Sequence, residues 1–119
     1  MTASDIITKC DRIKPNVYPQ SQKREWLNKI ESEIRDYMCL YTGKKSDRGF
    51  LKEENPVLSL EGTESDIYVY YIISMIDLSN QEYNLYNNSS TFFNRLFEEW
   101  KKKFRRQNRP QATVSINTQ

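Results

Sequence analysis

Residues 67–78 read Ile67-Tyr68-Val69-Tyr70-Tyr71-Ile72-Ile73-Ser74-Met75-Ile76-Asp77-Leu78. The fold turns on whether this run is a strand or a helix. Its β-branched and aromatic content suits a buried strand. Three features argue for a helix. Thr63 and Asp66 precede the run with the spacing of a capping box, aspartate standing in for glutamate. The run is longer than the roughly five or six residues of an ordinary strand. It also passes into further helix-forming sequence with no glycine or proline between. The expectation is a helix that is apolar on nearly every side and therefore buried on nearly every side. In a chain of 119 residues, that suggests a partner subunit covering one side of it.

Downstream, Ser79-Asn80-Gln81-Glu82 has the form of a second capping box and marks a bend or a restart. Asn87-Asn88-Ser89-Ser90 offers another point for a break with a new N-cap. Phe92, Phe93, Leu96, Phe97, Trp100 and Phe104 then line a final helix ending near Arg106, and Pro110 blocks simple continuation. Upstream, residues 2–14 read as a short helix. Thr2 or Ser4 can cap it, Asp5 suits its first turn, and Ile6, Ile7, Cys10 and Ile13 share one side. Pro15 and Pro19 bracket an extended link. A second helix runs from about Ser21 to Tyr41, with Trp26, Leu27, Ile30, Ile34, Tyr37, Met38 and Tyr41 stepping by three and four. Gly43 ends it as a C′ glycine.

All three glycines and Pro56 fall in residues 43–63, a long irregular segment. Phe50 and Leu51 can anchor it, and Val57, Leu58 and Leu60 can tuck against the core. The fold expected is all-α: a small bundle of about four helices in a single domain, 1–110, with an irregular loop at 43–63 and a flexible tail at 111–119.

Composition narrows the chemistry. Apolar residues make up 37% of the chain and charged residues 29%, so the core is modest. There is no histidine, which removes histidine triads, histidine general bases and most zinc sites. Cys10 and Cys39 form no CxxC pair and are expected to be reduced and at least half-buried. No glycine-rich phosphate loop is present. Glu53-Glu54 and Glu98-Glu99 are neighbours in sequence, which on a helix do not face each other. No catalytic, cofactor-binding or metal-binding residue is assigned, and no enzymatic role is expected.

Asp77 follows the apolar run directly. It either caps the next turn with Ser79 and Asn80, the favoured reading, or is buried against Arg35 or Arg95. The N-terminus has no signal-peptide pattern, and the apolar run is too short for a membrane span, so a soluble intracellular protein is expected. The glycosylation sequons at Asn87 and Asn88 are then chance matches.

The net charge is only +2, but Lys101, Lys102, Lys103, Arg105, Arg106 and Arg109 cluster after Glu98 and Glu99. Three readings stand, in this order: cations favouring a helix C-terminus, docking on an acidic protein surface, and contact with nucleic-acid phosphates.

Several of these stretches together resemble a known family. They are Asp11-Arg12-Ile13-Lys14-Pro15-Asn16, Trp26-Leu27, the block from Ile67 to Asp77, Gln81 to Ser89, Phe93-Asn94 and Arg109-Pro110. As a series they resemble the small head–tail connector proteins of tailed phages and prophages of Gram-positive bacteria. The resemblance spans roughly residues 3–110; the 43–63 loop and the tail do not match, and the final helix is more basic than the pattern. It implies an adaptor that assembles as a ring beneath the portal vertex and receives the next neck or tail-completion protein. The implied partners are further copies of the chain, the portal, the downstream neck component and, without sequence specificity, channel DNA. No membrane or small-molecule substrate is implied. The implied location is the bacterial cytoplasm during assembly and then the virion neck.

Candidate subunit or portal contacts are Phe50, Leu51, Tyr68, Tyr70, Tyr71, Lys101, Lys102, Arg105 and Arg106. The alternative is a small DNA-binding regulatory protein using the basic last helix. A generic helical interaction protein is a third reading.

Overall fold

A computed structural model describes residues 1–45 and 47–108. It is all-helical: α1 (Ala3–Ile13), α2 (Gln20–Thr42), α3 (Asp66–Ser79) and α4 (Tyr83–Gln107), with short 3-10 turns at Gly49–Lys52 and Gly62–Ser65. The expected tail, 111–119, and Pro110 lie outside the described residues.

α1 opens with a true capping box. The Asp5 amide donates to Thr2 Oγ1 at 3.3 Å, and the Thr2 amide donates to Asp5 Oδ2 at 3.0 Å. Ser4, the other cap candidate, lies inside the first turn, and its amide donates to Asn55 Oδ1. Ile6, Ile7 and Cys10 are buried, whereas Ile13 is 52% exposed because the helix ends there and the chain turns away. α2 starts after Pro19 without a side-chain cap. It ends at Gly43, whose φ of 73° is the left-handed conformation that glycine adopts without a Cβ clash.

The 43–63 segment is pinned at several points. The Ala3 amide donates to the Pro56 carbonyl, and the Leu58 amide to the Met1 carbonyl. Phe50, Leu58 and Leu60 are buried, but Leu51 and Val57 point outward. The segment therefore anchors through alternate residues rather than through adjacent pairs.

α3 is the helix that residues 67–78 were expected to form. The capping box expected at Thr63 is absent: a 3-10 turn runs straight into the helix, and Ser65 at the N-cap makes no side-chain cap bond. The covering expected from a partner subunit is supplied largely by the chain itself. α3 contacts α1, α2 and α4, and Ile67, Tyr68, Val69, Ile72, Ile73 and Ile76 are all buried within the chain. An all-round apolar helix here is the central helix of its own bundle.

The α3–α4 turn is a Schellman motif. The Glu82 amide donates to the Asp77 carbonyl and the Gln81 amide to the Leu78 carbonyl. Gln81 occupies the left-handed position, with φ 61°. α4 then runs unbroken through Asn87–Ser90. Neither serine caps a new helix: the Ser90 hydroxyl donates back to the Asn87 carbonyl, and the Ser89 hydroxyl turns toward α3. α4 lies antiparallel along α3, with Tyr70 on Phe92, Tyr71 on Phe93, and Glu64 bridged to Lys103.

Candidate functional site

Three clusters of polar side chains tie these helices together, and one of them gathers the residues that carry the resemblance. Lys14, just past α1, donates to Asp77 Oδ1 near the end of α3 and to Glu82 Oε1 at 3.1 Å. Ser89 of α4 donates to the other Asp77 oxygen at 2.7 Å. Asn80 donates to Glu82, and the Tyr18 hydroxyl donates to Asn80 Oδ1. Beside this group, Asn16 and Lys23 both donate to Asp11 Oδ1. Four separate stretches of chain thus meet at one end of the bundle.

Asp77 is 2% exposed. The surface-cap reading of this residue is therefore wrong, as are the expected partners. Arg35 pairs with Glu31, and Arg95 lies over the Phe92 ring. The buried carboxylate takes its countercharge from Lys14, which approaches from α1 and not from a neighbouring helical turn.

Electrostatics follow from these contacts. The Lys14 ammonium is held above its ordinary pKa by hydrogen bonding to Asp77, which outweighs its partial burial, with Glu82 adding to the effect. The Glu82 carboxyl is held low by hydrogen bonds from Asn80 and Lys14. Burial pushes Asp11 up, but hydrogen bonds from Lys23 and Asn16 more than offset it, leaving its pKa lowered.

The second cluster surrounds Glu31, which is fully buried in α2. It accepts from Tyr68 Oη at 2.7 Å, from the Ser59 amide and hydroxyl, and from Arg35 Nε. The Leu60 amide donates to Tyr68 Oη in turn. Glu31 therefore fastens the irregular segment to the bundle. Sequence reasoning passed over it, although a signal existed: Glu31 shares the 27, 30, 34 spacing of the apolar stripe of α2.

The third cluster lies where the C-terminal ends of α2 and α4 meet. Glu33, Asp36, Tyr37, Leu40, Phe97 and Lys101 line an open groove there. Lys101 Nζ sits 4.3 Å from the Phe97 ring centroid and 5.5 Å from that of Tyr37. Arg105 donates to the Tyr37 hydroxyl, and Lys103 bridges to Glu64. Lys102 and Arg106 are exposed, and Arg109 lies outside the described residues.

The nine expected contact residues do not form one patch. Tyr68 and Phe50 are buried inside the chain and offer no surface: the first is consumed by Glu31, and the second lies under the Arg35 guanidinium at 4.3 Å. Tyr70 and Tyr71 are half-buried against α4. Leu51, Lys102, Arg105 and Arg106 are exposed, and Lys101 is partly covered by its aromatic neighbours.

Among the described residues, no group of three or more Cys, Asp or Glu side chains is placed to hold a metal ion, and no helix is long and apolar enough to cross a membrane. Neither family models, curated proteins nor solved structures match this chain.

Proposed function

We propose that this chain is a helical structural adaptor. More specifically, we infer a head–tail connector that assembles beneath a phage portal vertex and joins the capsid to the neck or tail. The observation that carries this reading is the connector-like series of residues. Its polar members Asp11, Lys14, Asn16, Asp77, Glu82 and Ser89 converge at one end of the fold. A chance assembly of weak matches has no reason to meet in space. A series that encodes one fold does.

The ring itself rests on the resemblance alone, because α3 is covered by its own chain. The rival reading, a small DNA-binding regulatory protein, would use the exposed cations Lys102, Lys103, Arg105 and Arg106 for phosphate contacts.

The test is antibody labelling of this protein in an induced phage lysate, viewed by electron microscopy. Label at the neck between head and tail is expected. Unlabelled particles, with the protein only in the soluble fraction and binding duplex DNA with a steep salt dependence, would overturn the connector in favour of the regulator.

A further inference from the structure

From Leu78 to Asn94 the chain carries a single charged residue, Glu82, although charged residues are 29% of the whole. Glu82 is itself engaged by Lys14. Within this stretch, Asn84, Asn87, Asn88, Thr91 and Asn94 recur at helical spacing and are all exposed on α4. Among the described residues, no hydrogen bond uses their side chains. Tyr83, 59% exposed, and Leu85, 45% exposed, flank this stripe.

A solvated helix face in such a charge-rich chain would ordinarily carry Glu and Lys, which are better helix formers than Asn. A polar stripe without charges lacks the groups that are most costly to desolvate. Charged residues are depleted at the centre of protein interfaces, where desolvating them is costly.

We propose that the N-terminal half of α4 is a self-association surface that takes a second copy of the same helix, antiparallel, about a two-fold axis near Asn87 and Asn88. Two properties of the chain select this occupant. Each asparagine amide carries both donors and an acceptor, so an amide stripe is complementary to itself. A charged partner would meet no countercharge on it.

The charge layout of α4 fixes the orientation. Its C-terminal half carries Lys101, Lys102, Lys103, Arg105 and Arg106. Packed in parallel, two such clusters would lie about one helix diameter apart, roughly 10 Å. Packed antiparallel about Asn87 and Asn88, each cluster stands about 20 Å from the axis on opposite sides, at 1.5 Å rise per residue. The separation of roughly 40 Å is several Debye lengths at physiological salt. The antiparallel contact is isologous and self-limiting. It does not rest on the connector reading, and such a two-fold pair would have to open before the chain entered a one-sided ring.

The experiment has two arms, both on the full chain. Sedimentation equilibrium compares the wild type with an Asn87→Lys, Asn88→Lys double variant whose helicity is checked by circular dichroism. Wild type is expected to dimerise, and the variant to dimerise at least about tenfold more weakly, because like charges then face each other across the axis. In the second arm, single cysteines replace Asn87 or Asn88 in a Cys39→Ser background. At least one should form a disulfide with its own counterpart under mild oxidation, while Lys29→Cys on α2 should not. This arm still decides the matter if the lysine variant unfolds. A wild type that stays monomeric at hundreds of micromolar, a dimer that survives both lysines, or crosslinking no better than at Lys29 overturns the proposal.

Discussion

Replacing Lys14 by Met removes the cation from the Asp77 carboxylate while keeping most of the apolar stem. Asp77 has 3% of its side chain exposed and Lys14 has 22%. Breaking a buried ion pair from one side costs roughly 3–5 kcal/mol, since the remaining charge stays buried without its partner. The partial exposure of Lys14 and the surviving Ser89 hydrogen bond place the expected loss at the lower end, about 3 kcal/mol. For a domain of this size that lowers the melting temperature by about 12 °C. Asp77→Leu in the same background removes the stranded charge, so the double variant is expected to be more stable than Lys14→Met alone, by about 1–2 kcal/mol.

Urea unfolding at pH 7 on the wild type, both single variants and the double variant measures these quantities. If Lys14→Met costs under about 1 kcal/mol at pH 7, or if the two substitutions add without coupling, then Asp77 is not held by Lys14 as described.

Further outcomes follow from other contacts. Gln81→Gly should raise stability by about 0.5–1 kcal/mol, because Gln81 sits at a left-handed φ of 61° that glycine adopts freely; a loss in urea midpoint would contradict the Schellman turn. Tyr68→Phe leaves the buried Glu31 carboxylate and the Leu60 amide each short of one partner and should cost about 2–4 kcal/mol by thermal unfolding. Cys39 should react with a thiol reagent in the native state, whereas Cys10, whose thiol burial pushes up to about 12, should react only on unfolding. The melting temperature should be flat from about pH 5 to 9. Below that, Asp11 and Glu82, held under their ordinary 3.8 and 4.5, lose their stabilisation as they protonate through their lowered folded values. Above it, the raised Cys10 thiol loses stabilisation from its ordinary 9.0 upward, and Lys14 follows beyond 10.5. A melting temperature that changes steeply between pH 6 and 8 would contradict these assignments.

The helices were legible because their signals are local. The Thr2–Asp5 capping box, the Gly43 terminus and the three-and-four spacing of Trp26, Leu27, Ile30 and Ile34 all act within a few residues of chain. The length and continuity of residues 67–78 identified α3 correctly, despite its strand-like composition. The sequence could not show what that helix packs against. An apolar surface on every side is equally consistent with a partner subunit and with three helices of the same chain. Asp77 was misread for the same reason: its countercharge comes from Lys14, 63 residues away. Glu31 was overlooked because an acid in an apolar stripe looks like an interruption until Tyr68 and Ser59 arrive from other segments to satisfy it.

The residues that carry the resemblance are largely those that close the bundle. Lys14, Asp77, Ser89 and Glu82 are consumed by one another, and Ile67, Val69 and Ile72 by the core. Such a series reports how the chain folds and leaves little surface with which to grip a partner. Partner choice must then come from what the fold turns outward. On α4 that surface includes an uncharged polar stripe through Asn84, Asn87, Asn88, Thr91 and Asn94, and a cationic end through Lys102, Lys103, Arg105 and Arg106. An uncharged face suits a stable contact that excludes water, whereas exposed cations suit a contact steered by charge and weakened by salt. On the readings proposed above, one helix would offer two contacts of different salt sensitivity. Substituting its two halves separately can dissociate one from the other, because neither half contributes to the ion pair at Asp77 except through Ser89.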